Sequence, residues 1–420
     1  MNSRANWAGN VGYGAERIER PRSLDELRRL LADAWAGGRR VHALGSRHSF
    51  NRIADTGGVL IETVGLPVLT EVTGDGRAVR VSAGLRYGEL APELHRRGLA
   101  LANLASLPHI SVAGAVATGT HGSGSRIGSL ASAVRALHLL TADGELTLRQ
   151  GMPDFDGAVV GLGALGIVTE LELEVEPTYD IAQTVYEGPG WDALLAEFDR
   201  AMALGTSVSV FSRWTDTERA DQLWIKNRTD AAPSDPDLLD RLGARAATVK
   251  RHPILGAPAE ACTEQLGVPG PWQERLAHFR LEFTPSAGEE LQSEYLVPRA
   301  DAIAAVEAVR GLADRIAPLL LVSELRTVAA DRLWLSSSYG TDAVGLHFTW
   351  RPEQRAVEAL LPAIEAALPG SARPHWGKVF TMDPGQVADR YPRWADFVAL
   401  RARLDPDGLF RNEFLERLGL

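Results

Sequence analysis

The segment Ser111-Val-Ala-Gly-Ala-Val-Ala-Thr-Gly-Thr-His-Gly-Ser-Gly124 decides how this chain is read. It is built of small residues and holds no Asp, Glu, Lys or Arg. Small residues let backbone N–H groups approach an anion, and glycine runs form nests that cradle phosphate. Thr118, Thr120 and Ser123 add hydroxyl donors. The plainer reading is a flexible surface loop. Against it, Ile110, Val112 and Val116 are apolar enough to be buried, and a buried loop must find partners for its backbone. A diphosphate cradle is therefore expected.

Working outward, Ser23-Leu-Asp-Glu26 is a capping-box pattern ahead of Leu24, Leu27, Leu30, Leu31 and Ala34 at helical spacing. Residues 40–44, 58–63 and 78–83 read as strands and 87–97 as a helix. Gly45-Ser46-Arg47-His48-Ser49-Phe50 reads as a turn. Val134–Thr141 and Glu145–Arg149 form a hairpin about Ala142-Asp143-Gly144. Ile167 to Val175 alternates like a strand with one wet face. Gly161-Leu-Gly163-Ala-Leu-Gly166 fits G-x-G-x-x-G, but a strand follows it rather than a helix, which argues against a dinucleotide fingerprint.

From residue 180 to 380 the pattern becomes a mainly antiparallel sheet covered by helices. Strands are expected at 207–214, 222–226, 319–328, 345–350 and 376–381, and helices at 301–316 and 353–368. Side chains two apart on a strand share a face. Glu324 with Arg326, His347 with Thr349, and Trp376 with Lys378 thus place three polar pairs on apolar strands. Burying such groups requires partners or a ligand. One pair alone reads as a surface ion pair; all three together read as a pocket for hydroxyl groups.

A chain of 420 residues exceeds one core, so two associated domains are expected: residues 1–179, residues 180–380, and a segment 381–420 returning to the first. The net charge of −10 argues against nucleic acid, and no apolar run suits a signal peptide or membrane span. Cys262 is the single cysteine, which excludes an internal disulfide and a cysteine-held metal. No metal site is expected; zinc hydrolysis through His109 and His121 lacks a ligand-spaced helix. A cytoplasmic monomer is the default. Only Lys226, Lys250 and Lys378 break the use of arginine, among 44 basic residues. A lysine here can mark a cation that must lose its proton, which arginine cannot do. His42, His95, His138, His252 and His278 have no motif around them and read as structural or surface residues.

These residues resemble a known family. Gly45-Ser-Arg-His48-Ser-Phe50, Leu104-Ala-Ser106-Leu-Pro-His109-Ile-Ser-Val-Ala-Gly114, Thr118-Gly-Thr-His121-Gly122 and Asp405-Pro-Asp-Gly408-Leu-Phe-Arg-Asn412 resemble the vanillyl-alcohol-oxidase-type FAD flavoproteins. Within these, the bacterial alditol oxidases fit best, with sugar-lactone oxidases as cousins. Ser323-Glu-Leu-Arg-Thr327, His347-Phe-Thr349 and Pro374-His-Trp-Gly-Lys-Val-Phe380 fit too, so the resemblance spans the chain. Arg47 departs from the glycine that relatives often carry before the histidine.

The resemblance implies an α+β, two-domain FAD-binding fold of the PCMH type. It implies FAD bonded through its 8α-methyl group to His48. Gly45, Ser46, Arg47, Ser49, Phe50, Ser106, Ser111, Gly114, Thr118, Gly119, Thr120, His121, Gly122, Gly166, Ile167, Val168 and His375 would surround the cofactor. Ser106, Glu324, Arg326, His347, Thr349 and Lys378 would bind substrate. The implied reaction oxidises the terminal alcohol of a polyol such as xylitol or sorbitol to the aldose, with O2 reduced to H2O2. Lys378 or His347 would take the hydroxyl proton, and Arg326 would stabilise the alkoxide. A lactone oxidase or dehydrogenase and a non-enzymatic flavin- or carbohydrate-binding protein are the alternatives.

Overall fold

The computed structural model describes residues 4–231, 235–284, 286 and 289–420. Residues 1–3, which open the expected first domain, lie outside them. The Leu24–Ala36 helix begins where its sequence says it should: the Ser23 hydroxyl accepts the Glu26 N–H at 3.1 Å. The Glu26 carboxylate reaches back to the Arg22 N–H at 2.7 Å, one residue beyond the partner a capping box uses. This helix buries Leu27, Leu31 and Ala34 against Val41, Val59, Leu140 and Ile167. That one apolar cluster therefore joins two sheets. The first runs Arg17–Glu19, Val59–Glu62, Val41–Leu44, all parallel. The second is five-stranded and antiparallel, ordered Thr70–Thr73, Ala78–Ser82, Ile167–Glu174, Val134–Thr141, Gly144–Arg149.

The chain end packs into the same cluster through Leu409 and Phe410. Leu409 O accepts the Val41 N–H at 2.7 Å, and Asn412 Nδ2 donates to Ile53 O at 2.8 Å. Asp405 is fully buried because its carboxylate accepts the N–H groups of Leu409 and Phe410, at 2.7 and 3.0 Å.

Among the described residues, a nine-stranded antiparallel sheet forms the other half. Its central order is Asp180–Glu187, Gln222–Arg228, Ser207–Ser212, Leu320–Val328, Ala343–Trp350, Leu291–Pro298. Strand alternation gives this sheet two faces with different fates. Tyr295 points back to the Gln354–Ala367 helix and donates its hydroxyl proton to Glu365 Oε1 at 2.7 Å. Its neighbour Glu294 points the other way, towards the first half of the molecule.

Two long strands, Asp180–Glu187 and Leu291–Pro298, and three two-residue ones, Arg245–Ala246, Gly270–Pro271 and Arg373–Pro374, extend the sheet beyond the expected ones. The helix expected over 301–316 breaks near Gly311 into Ala302–Arg310 and Ala313–Ile316. The strand expected at 376–381 is not one. His375 N–H bonds to Glu294 O at 2.9 Å, and the chain then turns, closed by Lys378 N–H to His375 O at 3.0 Å. Trp376 and Lys378 consequently part company. Trp376 stacks on Tyr391 and Trp394, with centroids 5.0 and 6.3 Å away, while Lys378 borders the cavity described below.

Candidate active site

One large cavity lies between the glycine-rich segment and the Glu294 face of the large sheet. The segment, expected as a loop, folds over Val112–Ala117 as a short helix. On the loop side, Ser46 and Ser111 clasp each other: Ser111 N–H bonds to Ser46 Oγ at 3.0 Å and Ser46 N–H to Ser111 Oγ at 3.3 Å. Gly45 permits this approach, since a Cβ there would stand 2.4 Å from Ser111 Oγ. Arg47 adopts φ 65°, the left-handed region where glycine is the easy choice. Its side chain is held by an ion pair with Glu62 and lies over the Tyr13 ring. The turn presents His48, whose ring stacks on Trp7 at 5.0 Å. Asn6 Nδ2 donates to Ser49 O at 2.8 Å, so the N-terminal segment braces the turn.

His48 Nδ1 lies 3.1 Å from Ser46 O and so carries the ring proton. Nε2 is buried with no hydrogen-bond partner among the described residues. Burial pulls the His48 pKa down to about 3, which leaves a neutral ring with a free lone pair.

On the sheet side, strand pairing sets Glu294 opposite His347, and His347 opposite Glu324. Three carboxylate or imidazole groups thus stand in one row. Arg326, one residue pair along, donates to Glu294 Oε1 at 2.8 Å and to Ser106 Oγ at 3.2 Å. His347 Nδ1 lies 3.2 Å from Glu294 Oε2, and His121 Nε2 lies 3.1 Å from Glu294 Oε1. His121 reaches the sheet over Gly345, where a Cβ would come within 3.1 Å of Glu294 and 3.3 Å of His121. Burial works against the Glu294 charge, but Arg326, His121 and His347 outweigh it and hold the carboxyl well below its usual range. Glu324 is likewise lowered by Arg326 and His278 against burial.

A carboxylate only accepts, so His347 Nδ1 bears the proton and Nε2 faces Thr349 Oγ1 at 3.2 Å. Burial lowers the His347 pKa and keeps this ring neutral. Lys378 donates to Gln292 and sits 5.1 Å from the Phe50 ring centroid. Burial, helped by Arg326 and opposed by Glu294, lowers Lys378 to about 8.

Of the residues expected around a cofactor, Gly45, Ser46, Arg47, His48, Ser49, Phe50, Ser106, Ser111, Gly114, Thr118, Thr120, His121, Gly166, Val168 and His375 line the cavity. So do Glu324, Arg326, His347, Thr349 and Lys378. Gly119, Gly122 and Ile167 stand back from it. Gly119 makes a left-handed turn at φ 64°, and a Cβ on Gly122 would meet Asn103 and Leu104 at 2.3 Å. Ile167 faces the apolar cluster because its strand neighbour Val168 takes the cavity face.

The FAD binding domain family matches residues 15–148, and the D-arabinono-1,4-lactone oxidase family matches residues 288–418. The chain is 50% identical to an alditol oxidase of a Streptomyces species, covering 98% of each chain. This chain belongs to the alditol oxidase family, within the vanillyl-alcohol-oxidase-type flavoproteins. It is 29% identical to the L-gulono-1,4-lactone dehydrogenase of Mycobacterium tuberculosis, over 99% of this chain and 98% of the relative. In structure it is similar to a cholesterol oxidase of B. sterolicum, with a TM-score of 0.77 at 14% identity, covering 99% and 96% of the two chains. That likeness concerns the fold.

FAD is the cofactor of this oxidoreductase, and the residues present fit it. The cavity offers close-approach backbone on one wall, and the lone pair of His48 Nε2 is buried without a partner among the described residues. Three polar residues at the site were missed. Glu294 lies in Leu291-Gln-Ser-Glu-Tyr-Leu-Val-Pro298, whose alternation is itself a strand signal. Gln292 shares its face. His278, assigned to structure or surface, contacts Glu324 through Nε2 at 2.9 Å, and no motif around it reveals this.

Removing one partner of a buried ion pair strands the other. Arg326→Met should cost about 3–5 kcal/mol at neutral pH. Burial would then raise the Glu294 pKa. The depressed Glu294 of the parent begins to lose its stabilisation only below the ordinary 4.5, as pH falls towards its own low pKa. The raised Glu294 of the variant is relieved by protonation already above 4.5. The gap in thermal unfolding between parent and variant should therefore narrow towards pH 4.5; a constant gap would contradict the ion-pair account.

Proposed function

We propose that this enzyme oxidises the terminal CH2OH of an alditol, such as xylitol or sorbitol, to the aldose, with O2 reduced to H2O2. The observation that carries this reading is the buried row of Glu294, His347 and Glu324 with Arg326, Thr349 and Lys378, all bordering one cavity opposite His48. An alditol offers a hydroxyl on every carbon, and each is both donor and acceptor. The site matches that with carboxylate acceptors and with guanidinium and ammonium donors. The relative at 50% identity supports the alditol reading better than the lactone relative at 29%.

FAD, when bound, supplies the hydride acceptor and returns the electrons to O2. The protein supplies orientation and a base. His347 Nε2 takes the hydroxyl proton: its ring is neutral, and Glu294 orients it and stabilises the imidazolium that forms. Arg326 and Lys378 stabilise the developing alkoxide. Glu324 and Thr349 hold further hydroxyls. His48 is bonded to the 8α-methyl group of FAD, which its free lone pair supports. The chain divides at about residues 179 and 380 into an FAD-binding part, a substrate part and a returning tail, as the contacts of Leu409 and Asn412 support.

Oxygen consumption with xylitol, sorbitol and a sugar 1,4-lactone tests the substrate class. Rapid uptake with the alditols and stoichiometric peroxide are expected; a preference for the lactone would overturn the reading. In the parent, acid precipitation should leave yellow flavin in the pellet, and His48→Ala should release it to the supernatant. The pH profile separates the two bases. Lys378 is protonated below about 8, so kcat/KM should fall as pH rises through that value, and Lys378→Met should lack this limb. A rate that instead climbs through pH 8 would make Lys378 the base.

A further inference from the structure

Behind Glu324 lies a second buried lysine that the mechanism above does not use. Lys226 sits on the Gln222–Arg228 strand and is 1% exposed. Its Nζ donates to Leu276 O and to Ala277 O, the latter at 3.1 Å. Its third direction meets His278 Nδ1 at 3.1 Å. The Glu324 carboxylate only accepts, so His278 Nε2 carries the ring proton, and Nδ1 is left to accept from Lys226 in its ammonium form. That Nε2 lies 2.9 Å from Glu324 Oε1 and donates to it. The ring is boxed by Trp224, Phe211 and Phe279, with centroids 5.2, 5.6 and 6.5 Å away, all edge-on. The same residue's N–H bonds to Ser106 O at 3.1 Å, which ties it to the opposite wall of the cavity.

We propose that Lys226 is a positioning residue for substrate specificity: through His278 it aims the Glu324 carboxylate at a hydroxyl of the substrate remote from the reacting carbon. This rests on the reading of Glu324 as a hydroxyl-binding group. The physical reason is tautomer control. A neutral imidazole donates from one nitrogen only, and an acceptor turned towards Glu324 would repel the carboxylate instead of fixing it. Lys226 removes that choice. Glu324 Oε1 is engaged by His278 in this way, and Oε2 stands 3.6 Å from Arg326 Nε, too far for a strong hydrogen bond. The His278 contact is thus what sets the plane of this carboxylate. A site built to bond a hydroxyl loses discrimination when its polar group is free to rotate.

The test is steady-state kinetics of the flavin-loaded enzyme on xylitol and on 1,2-propanediol, which lacks the outer hydroxyls. Lys226→Met and His278→Phe should each raise KM for xylitol about tenfold, the scale of one hydrogen bond to a charged group. Flavin absorbance should be retained, kcat should change less than KM, and 1,2-propanediol should be nearly unaffected. Combined with Glu324→Gln, either substitution should add little further loss, because all three act through one carboxylate. His278→Phe keeps the aromatic box filled and carries the test if Lys226→Met fails to fold. Equal loss on both substrates, or full additivity with Glu324→Gln, would overturn the proposal. A raised KM in Glu324→Gln with unchanged KM in both relay variants would sink the relay alone. An unchanged KM in Glu324→Gln would instead sink the hydroxyl-binding reading beneath it.

Discussion

A carboxylate taken out of water must be surrounded by donors, and Glu294 shows how much structure that demand organises. It is 2% exposed; Arg326 and His347 donate to its two oxygens, while His121, whose Nδ1 faces Gly122 O at 2.9 Å, brings its Nε2 within 3.1 Å. Those partners come from two neighbouring strands of the large sheet and from the glycine-rich loop. The demand therefore constrains three things together. It sets the register that places Glu294 beside His347 and holds the loop against the sheet. It also keeps position 345 free of a side chain, since His121 passes there. Leaving any of these partners out exposes a charge to a low-dielectric interior.

Ser106 performs the matching task between the two walls. Its hydroxyl accepts from Arg326 and its carbonyl accepts the N–H of His278, so one residue of the loop side touches both the Glu294 system and the Lys226 system. The N-terminal segment contributes from outside, with Trp7 stacked on His48 and Asn6 bonded to the backbone of Ser49. The cavity is bounded by groups that hold each other, and its polar atoms are oriented by the protein itself. Such preorganised dipoles need not rearrange when charge develops on a reacting oxygen.

Lysine usage follows the same electrostatics. Lys250 pairs with Glu264 at 2.6 Å on a partly exposed site, where arginine would serve as well. Lys226 and Lys378 are buried, and burial lowers them to about 7 and about 8. Lys378 borders the cavity and Lys226 lies behind it, and both feel carboxylates at a distance rather than in contact. Compact ammonium groups fit these positions, whereas the wide, always-charged guanidinium fork would need more acceptors than either place offers.

By itself the sequence determined the elements whose signals are local: the Ser23 cap, the hairpin of Val134–Arg149 and the strands carrying Glu324 and His347. The glycine-rich segment lies at the cavity as expected, but its Val112–Ala117 part is a helix, not a loop. Helical and strand periodicities and turn chemistry act over a few residues, so one dimension contains them. Motifs spread across the chain also carried the family and its FAD. Tertiary structure alone decided which strands lie side by side. Register across the sheet placed Glu294 between Arg326 and His347, and a backbone turn, not a strand, separated Lys378 from Trp376. His278 became part of the site because an irregular segment, with no periodicity to betray it, folds back onto Glu324. Long-range pairing of buried charges depends on contacts between residues far apart in the chain, and no local pattern records them.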